Sequence, residues 1–139
     1  MADNITVTPG AGATVKTESA LDGVAQIQAV KISYSTEAKL SVKQINVSAS
    51  GQNTLIAGVG GQVIKVYYGF LVVNGTVLFD FRDGATTSLN GAPFPLVING
   101  SINLPMVSEP WLTTSSGNAL TCNLSAAVTV TGVLFYTQA

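Results

Sequence analysis

The residues best placed to do chemistry are few and lie close together. Asp80-Phe81-Arg82-Asp83-Gly84 gathers two carboxylates and a guanidinium in five positions. Paired acids can hold a cation or divide acid and base work between them. In an alternating strand, however, Asp80 and Arg82 share one face and would pair there, while Asp83-Gly84 would make a turn. The segment also lacks the ligand-dense D-x-D-x-D-G spacing of a calcium loop. Glu109, beside Pro110, is an isolated acid. To work with Asp80 as a glycosidase pair it would need a meeting in space that spacing alone does not supply. The chain has no histidine and a single cysteine, Cys122. That removes the commonest general base, the Ser-His-Asp and Cys-His arrangements and most zinc sites. Cys122 falls on the apolar side of an alternating run, where it reads as a buried small hydrophobe. No Gly-rich segment follows a strand and opens a helix, so a phosphate cradle is not supported. The expectation is a protein that is not an enzyme and uses no cofactor and no metal.

Composition points the same way. The 139 residues suit one domain with a real core. Apolar residues make up 47% and charged residues 9%, so disorder is excluded. An average chain of this length would carry about 35 charges; this one has six basic and seven acidic residues. A compact monomer of this mass exposes roughly 6,800 Å², about 500 Å² for each charge, which protects poorly against self-association. The net charge of −1 and the lack of a basic cluster argue against nucleic acid. The longest apolar stretch, Val63 to Phe81, is broken by Lys65, Asn74-Gly75 and Asp80, and is too polar to span a membrane. Met1-Ala2-Asp3-Asn4 has neither a basic start nor an apolar run, so synthesis in the cytoplasm is expected.

The elements that must position these residues are strands. Residues 1–43 hold eight of the charges and the rest of the chain five, which divides it into an extended arm over 1–22 and a domain over 23–139. The arm has β-type residues around Ile5, Val7 and Val15, and either frays or adds as an edge strand to a partner. Strands are predicted over 24–34, 43–50, 52–57, 63–73, 76–82, 94–98, 102–107, 119–125 and 127–137. Within them Ile45, Val47 and Ala49 face inward, as do Val77, Phe79 and Phe81, and Leu120, Cys122 and Leu124. Asn74-Gly75 between two β-rich runs signals a hairpin. Pro105 belongs at an edge or strand end, and Gly132 marks a bulge. Short strands at regular spacing and no helix longer than a turn predict an all-β antiparallel sandwich or jelly roll.

One strand stands apart. Val63 to Val73 reads apolar on both parities: Ile64, Val66, Tyr68, Phe70 and Val72 on one, Val63, Lys65, Tyr67, Gly69, Leu71 and Val73 on the other. In a two-layer domain one face of each sheet usually meets water. The second face therefore reads either as covered by a long loop or as a subunit interface built on Val63, Lys65, Tyr67, Leu71 and Val73. Trp111, the only tryptophan, is core or an interface anchor.

From Gln52 onward the order of features resembles tailed-phage virion proteins. The carriers are the G-x-x-I-x-V run over Gly61 to Val66, Trp111-Leu112-Thr113-Thr114, and Gly117-Asn118-Ala119-Leu120 leading to Leu124-Ser125-Ala126-Ala127. The opening MADNITVTPG, followed by GVAQIQAVKI, is similar to the start of many tailed-phage structural proteins. In size and expected fold the chain most resembles capsid cement (decoration) proteins of jelly-roll type. The resemblance implies a virion location on the outside of an icosahedral head. It implies two partners, the major capsid protein, whose neighbouring subunits are bridged, and the chain itself as homodimer or homotrimer. It carries over no catalytic residues. The alternatives are a tail-fibre or baseplate domain that binds a host glycan through Trp111, Tyr67 or Tyr136, and an enzyme that places Asp80, Asp83 or Glu109 in a cleft.

Overall fold

The computed structural model describes residues 39–139 and, before them, two short strands. The chain divides into two units, Met1–Glu37 and Ala38–Ala139. In the first, β1 (Lys16–Thr17) pairs antiparallel with β2 (Gln28–Ala29). Apart from this pair, the expected arm over 1–22, with Ile5, Val7 and Val15, and the expected strand over 24–34 lie outside the described residues.

The second unit is all-β, with no helix among its described residues. Its strands are β3 (Ser41–Val47), β4 (Gly51–Ile56), β5 (Ile64–Val73), β6 (Val77–Asp83), β7 (Thr87–Ser88), β8 (Phe94–Leu96), β9 (Ser101–Leu104), β10 (Leu112–Thr113), β11 (Leu120–Leu124) and β12 (Val130–Gln138). They form two five-stranded antiparallel sheets. One runs β3-β12-β5, with β9 and β10 sharing the far edge of β5; the other runs β4-β11-β6, with β7 and β8 sharing the far edge of β6. The pairing is nested, β3 with β12, β4 with β11, β5 with β9 and β6 with β8. A long hairpin rolled up on itself would give that nesting.

The core lies where the inner faces meet, as in other sandwiches. Ile64, Val66, Leu71, Val73, Val130 and Leu134 from the first sheet and Leu55, Val77, Phe79, Phe81, Leu120, Cys122 and Leu124 from the second are buried together. The expected alternations in β6 and β11 are found. In β3, Ile45 is buried and Val47 packs on the core, but Ala49 lies beyond the strand and is exposed. Pro105 follows directly after β9, an edge strand, so its missing N–H costs no ladder bond.

Three local readings are corrected. Asn74-Gly75 does not close a hairpin: β5 and β6 lie in different sheets, and the turn crosses between them. The residues of positive φ lie elsewhere, so the turn is not the type that Asn-Gly favours. Instead Asn74 is tied to the residues before β12, its Oδ1 accepting from the Thr129 N–H at 2.7 Å and its N–H donating to the Thr129 carbonyl at 3.0 Å. Burial of Val73 and Val77 against one core from opposite sides outweighs the local turn preference.

The second correction concerns β5. Against β12 its register shifts, with Phe135 opposite Tyr68 and Tyr136 opposite Val66, which leaves Tyr67 as the extra residue of a bulge. The bulge switches the inward parity from Ile64 and Val66 to Gly69, Leu71 and Val73. Leu71 and Val73 are thus core, not interface. The third follows from the second: Gly132 is not the bulge, because its partners Ile45 and Leu71 stand in regular register.

Candidate functional site

The charged segment folds into two separate arrangements, each with a structural job. Asp80 is on the outward side of β6 yet only 1% exposed. Its Oδ2 accepts from Arg82 Nε at 2.8 Å and its Oδ1 from the Ser88 hydroxyl at 2.6 Å. The expected Asp80–Arg82 pair is therefore present, and β7 supplies the hydroxyl that completes it. Asp83, at the end of the same strand, faces a different neighbour. Its Oδ2 accepts from the Ser115 N–H at 3.0 Å and the Ser115 hydroxyl at 2.6 Å, which fastens the loop between β10 and β11 to the end of β6. Asp83 Oδ1 is buried without a hydrogen-bond partner.

Burial works to raise the Asp83 pKa, but the Ser115 hydroxyl, the neighbouring Asn118 amide and the Ser115 N–H hold it below the ordinary 3.8. A carboxyl depressed in the folded state stabilises fully above its unfolded pKa, and that contribution fades as pH falls through the folded value. Stability should accordingly decline below about pH 4 with a share traceable to Asp83. Asp83→Asn is expected to cost about 1 kcal/mol at neutral pH, by turning charge-assisted bonds into neutral ones, and to flatten the acid limb. Urea unfolding of both proteins from neutral to strongly acid pH checks this; parallel pH profiles would assign the loop clamp elsewhere.

The remaining candidates lie on other elements. Glu109 is exposed on the stretch between β9 and β10. Cys122 is fully buried, and burial pushes its thiol up to about 12. Among the described residues no group of three or more His, Cys, Asp or Glu side chains is placed to hold a metal, and no helix is long and apolar enough to cross a membrane.

The contrast between the two outward sheet faces is more informative. The outer face of the β4-β11-β6 sheet is chiefly polar, with Gln52, Thr54, Thr121, Asn123, Asp80 and Arg82 set side by side by the register. Many of its groups are satisfied internally: the Thr121 hydroxyl and Gln52 Nε2 both donate to the Gly84 carbonyl, at 2.6 and 3.3 Å. The outer face of the β3-β12-β5-β9 sheet is different. Ladder pairing sets Val42, Phe135 and Tyr68 in one row, Gln44, Val133, Phe70 and Asn103 in the next, and Asn46, Thr131, Val72 and Ser101 in a third. Opposed residues in a sheet share a face, so the apolar members form one continuous patch. Phe70, at its centre, is 48% exposed, and Val42 is 56% exposed at one side. Tyr68 and Phe135 stack with ring centroids 3.9 Å apart and planes 13° from parallel.

Measured against this patch, the interface residues read from sequence scatter. Lys65 is exposed on the outer face beyond the bulge, opposite Thr137 and Thr113. Tyr67 is half-buried in the bulge, and Val63 is half-buried, with its backbone paired to Ala139. Trp111 is 46% exposed, which removes the core reading for it, and its indole N–H donates to the Pro105 carbonyl at 2.7 Å. Tyr136 packs against the core. Sequence reasoning missed Phe70, Val133 and Phe135 as interface candidates. The signal for Val133 and Phe135 was the apolar run Val133 to Tyr136 of the last strand, but only the register shows that these two face the same side as Phe70.

Comparison of the chain with protein-family models, with curated proteins and with solved structures gives no match.

Proposed function

We propose that this chain is a non-enzymatic structural protein of a tailed-phage virion, a cement protein that binds the outer surface of an icosahedral head and bridges neighbouring major capsid subunits. The observation that carries the reading is the apolar patch of Val42, Tyr68, Phe70, Val72, Val133 and Phe135 on the outer face of the β3-β12-β5-β9 sheet, presented by a chain with so few charges. Exposed contiguous apolar surface of this kind marks a contact site. A nested sandwich, read as a jelly roll, and the resemblance of the Gly61–Val66 and Trp111–Thr114 segments support the particular assembly. The physical logic is avidity: a small protein that touches several subunits at once gains binding because its second contact is intramolecular. Apolar burial at ~25 cal/mol/Å² then stabilises the shell without chemistry.

The test is addition of the purified protein to expanded, undecorated heads. Saturable binding with a rise in head resistance to heat or denaturant is the expected result, and deletion of residues 1–22 is expected to weaken it. No saturable binding, or binding with no gain in head stability, would overturn the reading. One observation favours a second reading, recognition of a host glycan by a tail-fibre domain. The exposed Trp111 ring is held in place by its bond to the Pro105 carbonyl, as a sugar-stacking platform requires. Glycan binding that disappears in a folded Trp111→Ala protein would select this second reading.

A further inference from the structure

We infer that Asn74 is a site of self-modification, its side-chain amide being converted to aspartate or isoaspartate through attack by the Gly75 backbone nitrogen. The inference is independent of the cement reading. In the first step the Gly75 nitrogen bonds to Asn74 Cγ and the Cγ–Nδ2 bond breaks. Nδ2 leaves as ammonia, taking the proton that the Gly75 nitrogen gives up, and a succinimide ring remains. Water then opens the ring at Cγ, which gives aspartate, or at the main-chain carbonyl, which gives isoaspartate with the chain running through the former side chain. Water is the only co-reactant. The residue after the asparagine governs the first step, and glycine, with no side chain to crowd its nitrogen or restrict its backbone, permits it best.

The chain holds three Asn-Gly pairs, at Asn74, Asn90 and Asn99, and all three asparagines are exposed. Hydrogen bonding, not access to water, separates them. At Asn99 the attacking nitrogen is occupied: the Gly100 N–H donates to the Val97 carbonyl at 2.8 Å. The pair is also laced to Val73, through the Asn99 N–H at 2.9 Å and the Gly100 carbonyl at 3.0 Å. At Asn90 the departing nitrogen is occupied: Nδ2 donates to the Ala92 carbonyl at 2.6 Å, while Oδ1 accepts from the Phe81 N–H at 2.7 Å. Asn74 has neither restraint, since among the described residues neither its Nδ2 nor the Gly75 N–H enters a hydrogen bond. Its one side-chain bond runs from the Thr129 N–H to Oδ1 at 2.7 Å. That is the oxygen on which negative charge gathers as the nitrogen adds, so the bond assists the step. A Cβ on Gly75 would lie 2.8 Å from Val128 Cγ1, so packing favours glycine here and with it the reactive pair. The two products differ in their effect on the fold. Aspartate keeps an acceptor for the Thr129 N–H. Isoaspartate adds a methylene to the main chain between Val73 and Val77, which are buried from opposite sheets, so the crossing between them must buckle.

Ageing of the full chain in mildly alkaline buffer, followed by peptide mapping with mass spectrometry, reads the exchange of NH for O at each asparagine. The same ageing in guanidinium chloride gives the rates of the unfolded chain. Folding is expected to slow Asn90 and Asn99 at least about fivefold more than Asn74, the rate equivalent of one hydrogen bond that must first be released. Equal protection at the three sites, or greater protection at Asn74, would overturn the inference. Stability supplies a second readout. Aged chains carrying isoaspartate at position 74 should unfold at lower denaturant concentration than the unmodified chain, whereas Asn74→Asp should unfold near the original midpoint. An isoaspartate fraction that unfolds together with the unmodified chain would refute the consequence drawn for the crossing.

Discussion

Truncation of Phe79 to alanine is expected to lower the unfolding free energy by about 3–5 kcal/mol, the usual cost of removing a buried aromatic ring. Phe79 is 0% exposed and central to β6. Its ladder neighbours are Phe94 on one side and Leu124 on the other. The ring meets Phe81 edge-on, with centroids 4.7 Å apart and planes at 75°, and lies 5.7 Å from Phe94. Edge-to-face rings attract beyond the area they bury, so the variant loses that term together with the transfer and cavity terms. Regular strands surround the site and cannot collapse far into the space, which places the loss toward the upper part of the range.

Domains of this size are stable by about 5–15 kcal/mol in all, so the loss is a large share of the total. Urea unfolding should show a lower midpoint with an unchanged slope, the sign of a change in stability and not in mechanism. Phe70→Ala is the control. With its ring half in solvent and outside the core, it should cost the monomer far less. Equal losses for the two variants would mean that the inner and outer faces of the sandwich have been assigned the wrong way round.

Period-2 patterning made the strands with one clean inner face legible. β6 alternates Val77, Phe79 and Phe81 against Leu78, Asp80 and Arg82, and from that pattern alone both the core side and the Asp80–Arg82 pair follow. Cys122 was legible in the same way. β5 was not, because apolar residues on both parities arise in two ways: from a strand covered on both faces, or from a bulge that switches parity midway. The structure shows the second, and with it Leu71 and Val73 move from the supposed interface to the core. β4 does likewise. Its register against β11 skips Leu55, so Leu55 and Ile56 are both buried although adjacent in sequence. Asn74-Gly75 misled for a related reason, since a local turn preference is weaker than the burial of the two strands it joins. The outer apolar patch depends on which strands lie side by side. Val133 and Phe70 are far apart in sequence and meet only through the β5–β12 register, which no single strand's pattern contains.

Gly132→Ala is the other substitution of large expected effect, because it attacks that register directly. Gly132 sits within β12, the strand between β3 and β5, at φ 153°, outside the range side-chain-bearing residues readily adopt. A Cβ there would lie 2.1 Å from the Phe70 carbonyl oxygen and 2.9 Å from the Leu71 Cα. Both are backbone atoms of the neighbouring strand, so no rotamer change relieves the overlap. Gly69 stands in reciprocal relation on β5: a Cβ there would lie 2.4 Å from the Val133 carbonyl oxygen and 2.9 Å from Leu134 Cδ2. Each glycine faces a large residue on the other strand, Gly132 opposite Leu71 and Gly69 opposite Leu134, both buried. The strands approach closely because the small residue of each pair yields to the large one. Gly132→Ala must either strain φ and push β5 away or break the ladder between them, and a loss of about 3 kcal/mol or more is expected. The readout that separates this from ordinary destabilisation is amide hydrogen exchange: protection should fall first at the β5–β12 ladder and last in the β4-β11-β6 sheet. An alanine variant of near-normal stability, with both sheets equally protected, would mean that the two strands pair in some other register, and the rows that align Phe70 with Val133 would then have to be redrawn.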